Sequence, residues 1–274
     1  WVNAPIYLKS GWNFFTQSGG GASTQSYYVI TALGSPTSKT GTDLQGLDEG
    51  VNPQSNPSVQ QRNYALGADI DASATKTWNS GAGFRALFQT NLTTDAISYQ
   101  GTFDGLGHVI SGLSINRPST GVLSFITVLG AKGVIQNLGM KNVDYTTNNT
   151  GGIVFRNFGL IRNSFVDQGT ITAGDGFKNK SNFIGGLVGH NLGQIVDSYA
   201  NVTVAMPDNN ASYTQALGFT YKAGGLVGVN SGSITDAMIS RLISGTPRIS
   251  SMKPTHRPLI SGRFERRPSA SRMP

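Results

Sequence analysis

The chain has 274 residues, of which 36 are glycine and none cysteine, and charged residues make up 13%. About twice the usual glycine and about half the usual charge argue against a coiled coil or a salt-bridged helical bundle. The absence of cysteine excludes a disulfide framework, a Cys-ligated zinc and a thiol nucleophile. The formal net charge of +7 belongs to the stretch after residue 240, where eight Lys or Arg stand against Glu265 alone; the preceding residues balance.

No run of 18 apolar residues is present, so no segment reads as a membrane-spanning helix. The chain begins at Trp1 without an initiator Met or signal peptide, and reads as a fragment or processed piece. Residues 1–63 form a first segment, of which 18–61 are rich in Gly, Ser, Thr, Gln and Asn and are expected to be a loop or irregular cap. Tyr64–Phe84 follows, and then Tyr99–Ile115 (YQGTFDGLGHVISGLSI), where short apolar stretches alternate with glycine turns and read as two strands. Within 121–143, Gly133–Leu138 (GVIQNL) looks like a degenerate copy of what comes next.

Three segments then align without gaps: Gly151–Phe165 (GGIVFRNFGLIRNSF), Gly185–Tyr199 (GGLVGHNLGQIVDSY) and Gly224–Met238 (GGLVGVNSGSITDAM), with starts 34 and 39 residues apart. They share the Gly-Gly opening and the columns Val154/Val188/Val227, Asn157/Asn191/Asn230, Gly159/Gly193/Gly232 and Ile161/Ile195/Ile234. Each unit reads as strand, turn, strand. The Asn-x-Gly step is turn chemistry, because both residues tolerate positive φ. No helical periodicity runs through these segments, so 64–240 is expected to be all-β.

One unit is too thin to bury its apolar face alone, whereas stacked units share a continuous core. Like residues then lie about 4.8 Å apart. The Asn column reads as a hydrogen-bonded ladder rather than a ligand-binding row, and the Gly columns as corners where the backbone turns. The polar insertions 166–182 and 200–222 are expected to protrude as loops. The repeat stops after Met238. Residues 241–274 read as a disordered basic tail, or as out-of-frame sequence joined to a truncated array.

GTFDGLGHVISGLSINRP (Gly101–Pro118), followed by GGLVGHNLGQIVDSYA (Gly185–Ala200), resembles the GLUG-motif repeats of filamentous-haemagglutinin-like bacterial adhesins and exoproteins. Tyr64–Phe84 is similar to the segment preceding those repeats, and the likeness covers roughly residues 60–240. The resemblance implies a right-handed parallel β-helix with irregular loops. It implies export to the cell surface or medium through an outer-membrane two-partner secretion transporter. It also implies non-enzymatic adhesion to host-cell glycans or extracellular matrix. No catalytic residue, cofactor or metal comes with it. The departures are Phe155-Arg156 in place of Gly189-His190 and Gly228-Val229, Ala237 in place of Ser164 and Ser198, and Met238 in place of an aromatic.

Parallel β-helices also carry glycosidases and lyases, so a carbohydrate-active enzyme is the competing expectation, with a structural spacer third. Two carboxylates are the minimum for most glycosidases. Asp69 and Asp71 would share a strand face, although a turn is the plainer use. Asp104 and His108 resemble an acid–base pair, but Asp-Gly is also a turn. His190 shares its column with Arg156 and Val229 and is assigned no role. Gly105-Leu106-Gly107 lacks the following Lys-Ser/Thr of a phosphate loop. The tail has one aromatic, Phe264, and hence no stacking platform; no nucleic-acid partner is expected. Asn91, Asn148, Asn201 and Asn210 begin glycosylation triplets, a minor expectation. Binding is expected on the lateral faces and insertions, through aromatics such as Tyr213, Phe219 and Tyr221.

Overall fold

A computed structural model describes residues 5–16, 24–50, 57–89, 98–174, 182–205 and 221–239. The chain is mostly β, and apart from one antiparallel pair its named strands pair in parallel. The strands fall into three sheets. In the repeat region the chain visits each sheet in turn, and each circuit adds a strand to every one.

The Asn sheet holds Ile126–Leu129, Val154–Asn157, Val188–Asn191 and Val227–Asn230. The Ile sheet holds Val134–Gln136, Leu160–Arg162, Gln194–Val196 and Ser233–Thr235. The third sheet holds Gly139–Gly151, Phe165–Ala173, Tyr199–Ala205 and Met238–Ile239, with Asn182–Gly185 and Tyr221–Gly224 beside the end of the first of these. The register is the one the alignment requires. Val154, Val188 and Val227 are partners, as are Asn157, Asn191 and Asn230. So are Ile161, Ile195 and Ile234, and Phe165, Tyr199 and Met238. The degenerate copy takes its place too, with Ile135 beside Ile161 and Ile126 beside Val154.

One apolar column runs the length of the Ile sheet: Tyr28, Tyr64, Phe103, Ile135, Ile161, Ile195 and Ile234. From Tyr64 to Ile195 every member is fully buried, and each such side chain stabilises the stack by roughly 1.5–3 kcal/mol. Toward the start of the chain the core becomes aromatic. Phe88 stacks on Tyr99 with ring centroids 4.5 Å apart, and Phe103 meets Phe125 edge-on at 5.6 Å.

Two expectations need correction. Residues 18–61, expected as a loop or irregular cap within the first segment, include a strand. Gln25–Ile30 pairs antiparallel with Gly11–Thr16 and parallel with Tyr64–Leu66, so the Ile sheet continues across residue 63. The insertions 166–182 and 200–222 are not simply loops either. Phe165–Ala173 and Tyr199–Ala205 are strands paired in parallel. Val166, Ile171, Val202 and Val204 are buried, while the polar residues between them face outward or lie at the margin. The polarity there is that of a half-exposed strand. Tyr213, Phe219, Asn91, Asn210 and the tail 241–274 lie outside the described residues.

Candidate functional site

Of the carboxylates nominated from sequence, Asp69 and Asp104 hold coils together and Asp71 closes a local turn. The Val109 N–H donates to Asp69 Oδ1 at 2.9 Å, and His108 Nδ1 lies 3.0 Å from the same atom. His108 Nε2 lies 3.0 Å from the Ile6 carbonyl oxygen, and the Tyr7 ring stands edge-on to the imidazole at 4.8 Å. The fully buried His108 ring is thus held between the Asp69 carboxylate and the Ile6 carbonyl. The histidine thereby straps the segment around Ile6 to the first coil.

Asp104 is not its partner. It accepts from the Leu106 N–H at 2.9 Å, Gln136 Nε2 at 2.6 Å and Asn137 Nδ2 at 3.0 Å. Asp71 accepts the Ser73 N–H at 2.9 Å, which holds its carboxyl below the usual carboxylate range. The sequence therefore nominated His108 and Asp69 separately, and the fold brings them together.

The Asn column is a ladder. Asn157 Nδ2 donates to Asn191 Oδ1 at 2.7 Å, and Asn191 Nδ2 to Asn230 Oδ1 at 2.8 Å. Asn157 Oδ1 accepts the Gly159 N–H at 3.0 Å. Asn157 and Asn191 are fully buried and out of reach of a ligand. Neither the ladder Asn residues nor Gly159, Gly193 and Gly232 have positive φ. The glycines are needed for closeness instead. A β-carbon on Gly193 would strike the Gly159 carbonyl oxygen, and one on Gly232 would strike that of Gly193. The left-handed corner lies in the next turn, at Asn137, Asn163, Asp197 and Asp236, with φ of 47–52°. An Asn/Asp column in the aligned repeats could have revealed it.

Outside the ladder these close-packed glycines leave a longitudinal groove of about 510 Å³ crossing four coils. Gly133, Gly159, Gly193 and Gly232 form its floor. Phe158 and Leu160 are half-buried in its walls, and Leu192 is 38% exposed. Lys132, Gln194 and Ser233 are exposed around it. The backbone beneath is satisfied: the Leu160, Gln194 and Ser233 N–H groups donate to the glycine carbonyls one coil back, at 3.0, 2.8 and 2.9 Å. The groove therefore offers apolar ring-sized surface with amide, hydroxyl and ammonium groups beside it. Phe158 and Leu192 occupy the x of Asn-x-Gly, and Leu160, Gln194 and Ser233 the position after the Gly, variable sites that alignment on the shared columns passes over.

A second cluster sits on the other flank of the Asn sheet. His190 lies in register with Arg156, and Phe183 stands edge-on to its ring at 5.4 Å. Lys222 lies over Phe183 at 5.6 Å. Burial, then Arg156 and Lys222, lower the His190 pKa. Of the glycosylation triplets on described residues, one begins at the fully buried Asn148 and the other at Asn201, whose Nδ2 donates to Asp167 at 2.7 Å. Among the described residues no three His, Cys, Asp or Glu are grouped to hold a metal.

No family model matches the chain. Over 196 residues it is 34% identical to halomucin of Haloquadratum walsbyi, a span of 69% of this chain and 2% of that protein. It also resembles a solved structure from Bacteroides ovatus, of a protein proposed to be an immunoglobulin A1 protease. That likeness has a TM-score of 0.50 and 20% identity, and covers 77% of this chain and 56% of the other. At that identity the likeness concerns the fold alone: a mostly β chain built on parallel sheets.

Proposed function

We propose that this chain is a non-enzymatic, extracellular or surface-displayed segment of an adhesin. In this reading it is a right-handed parallel β-helix of the GLUG-repeat kind that binds glycan chains along its outer groove. Right-handedness is the sense that crossovers between parallel strands take. The observation that carries the reading is the division of labour among side chains. Asp69, Asp104, His108 and the Asn ladder are spent inside the stack, while Phe158, Leu192, Gln194 and Ser233 are left outward along one groove. Sugar rings place an apolar face on an aromatic and hydroxyls on amides and hydroxyl groups. The match to halomucin, a mucin by name, supports an extracellular setting. Export through a two-partner transporter follows from the GLUG resemblance and belongs to the same proposal.

The test is a glycan array probed with the chain and with Phe158→Ala. Binding that falls at least tenfold in the variant supports the groove. Release of products from a polysaccharide, or cleavage of immunoglobulin A1, would replace adhesion with catalysis. Binding to nothing would favour the spacer.

A further inference from the structure

The outer face of the Ile sheet continues past the groove. In the strand Leu160–Arg162 only Ile161 is buried, so Leu160 and Arg162 both point outward, about 7 Å apart along the strand. Leu160 lines the groove, and Arg162 is exposed beside it. One coil earlier Lys132 is exposed in the groove lining.

The Arg162 guanidinium is held in place. Its Nε and Nη2 donate to Gln136 Oε1 at 2.9 and 2.6 Å. Gln136 Nε2 donates in turn to Oδ2 of the buried Asp104 at 2.6 Å. The three residues are register partners on successive strands of the Ile sheet. A carboxylate only accepts, so Asp104 fixes which way the Gln136 amide points: nitrogen toward Asp104, oxygen toward Arg162.

A guanidinium carries five N–H groups, and the two spent on Gln136 leave three on Nη1 and Nη2. Among the described residues Arg162 makes no ion pair. Asp197 and Asp236 of the following coils stand in the left-handed corner, one residue past the strands Gln194–Val196 and Ser233–Thr235. A side chain already ordered by its neighbours loses little freedom on binding, and parallel N–H donors of a guanidinium match the two oxygens of a carboxylate.

We propose that the glycan held in the groove is acidic, and that Arg162 takes the carboxylate of one of its sugars through Nη1 and Nη2. This rests on the glycan-binding reading above. Gln136 and Asp104 are positioning residues that touch no sugar, and Lys132 adds attraction for the same negative chain.

The test is a glycan array of matched pairs, each carboxylate-bearing oligosaccharide beside its neutral methyl ester, with sulfated oligosaccharides lacking carboxyl groups as a third arm. The expected result is at least tenfold tighter binding of the acid than of its ester, and weaker binding of the sulfated chains than of the acid. Arg162→Gln is expected to erase the preference for acid over ester, and Arg162→Lys to restore only part of it, because an ammonium keeps the charge without the fork. Gln136→Leu is expected to reduce the preference several-fold with far-UV circular dichroism unchanged, a change in ratio that a merely structural role would not produce. Equal binding of acid and ester, an Arg162→Gln variant that keeps the preference, or a preference for the sulfated chains would overturn the inference. Groove binding itself would still stand if the esters bind and Phe158→Ala weakens them. Binding of none of these glycans would overturn both.

Discussion

Asn191 stands in the middle of the ladder, donating to Asn230 and accepting from Asn157. Replacing it with alanine leaves the buried Asn157 amide with the Gln194 carbonyl as its remaining acceptor, and an unsatisfied buried N–H costs about 1–3 kcal/mol. Urea denaturation of Asn191→Ala should show a loss of that order. Asn230→Ala, at the exposed end of the ladder, should lose a few tenths at most. The glycines give a sharper contrast. Gly193→Ala forces a β-carbon into the Gly159 carbonyl and should be strongly destabilising. Asn163→Gly, at a φ of 48°, should leave the melting temperature within a degree or two, because glycine takes that conformation without strain. The repeat made the ladder legible, since an invariant Asn column in stacked strands has few other uses. It did not reveal why Gly193 is glycine: close approach and positive φ select the same residue.

At the scale of the strand, two stretches rich in Thr, Asn and Asp turned out to be ladder members. In Tyr199–Ala205, Val202 and Val204 are buried and the residues around them alternate outward. Val204→Ala should therefore cost about 2 kcal/mol, from the two buried methyl groups it removes, while Thr203→Ala should be close to neutral. A loop would show no such contrast between the two. Along the neighbouring Asn sheet, burial and the charges of Arg156 and Lys222 depress the His190 pKa. The folded chain thus prefers the neutral ring. The stability from this preference is complete above the unfolded value of about 6.5 and is lost as pH falls through the lower folded value. His190→Gln should flatten that part of the acid-side fall in melting temperature. Equal slopes for variant and wild type would show that His190 titrates as an ordinary surface group.

The molecule as a whole is a one-dimensional stack, so stability should accumulate coil by coil. A chain ending at Ala205 lacks 221–239 but keeps Ile195 and every coil before it. It should still unfold cooperatively, at lower denaturant concentration and with a smaller dependence on denaturant. Complete unfolding of that shortened chain would mean that the last coil is indispensable rather than additive. The aromatic core around Phe88, Tyr99, Phe103 and Phe125 anchors the stack at its first end. The coils beyond it are filled mainly by Ile, Val and Leu.

Repetition made the coil legible. Three gapless copies declare which residues are in register, and stacking follows from the inability of one thin unit to bury itself. Val154, Val188 and Val227, the Ile column and the Asn ladder all follow from that single fact. The pairing of His108 with Asp69, the separation of His108 from Asp104, and the groove beside Phe158 and Leu192 had no such signal. Each joins residues from different coils at positions that do not repeat, and the three-dimensional path of the chain alone sets those distances.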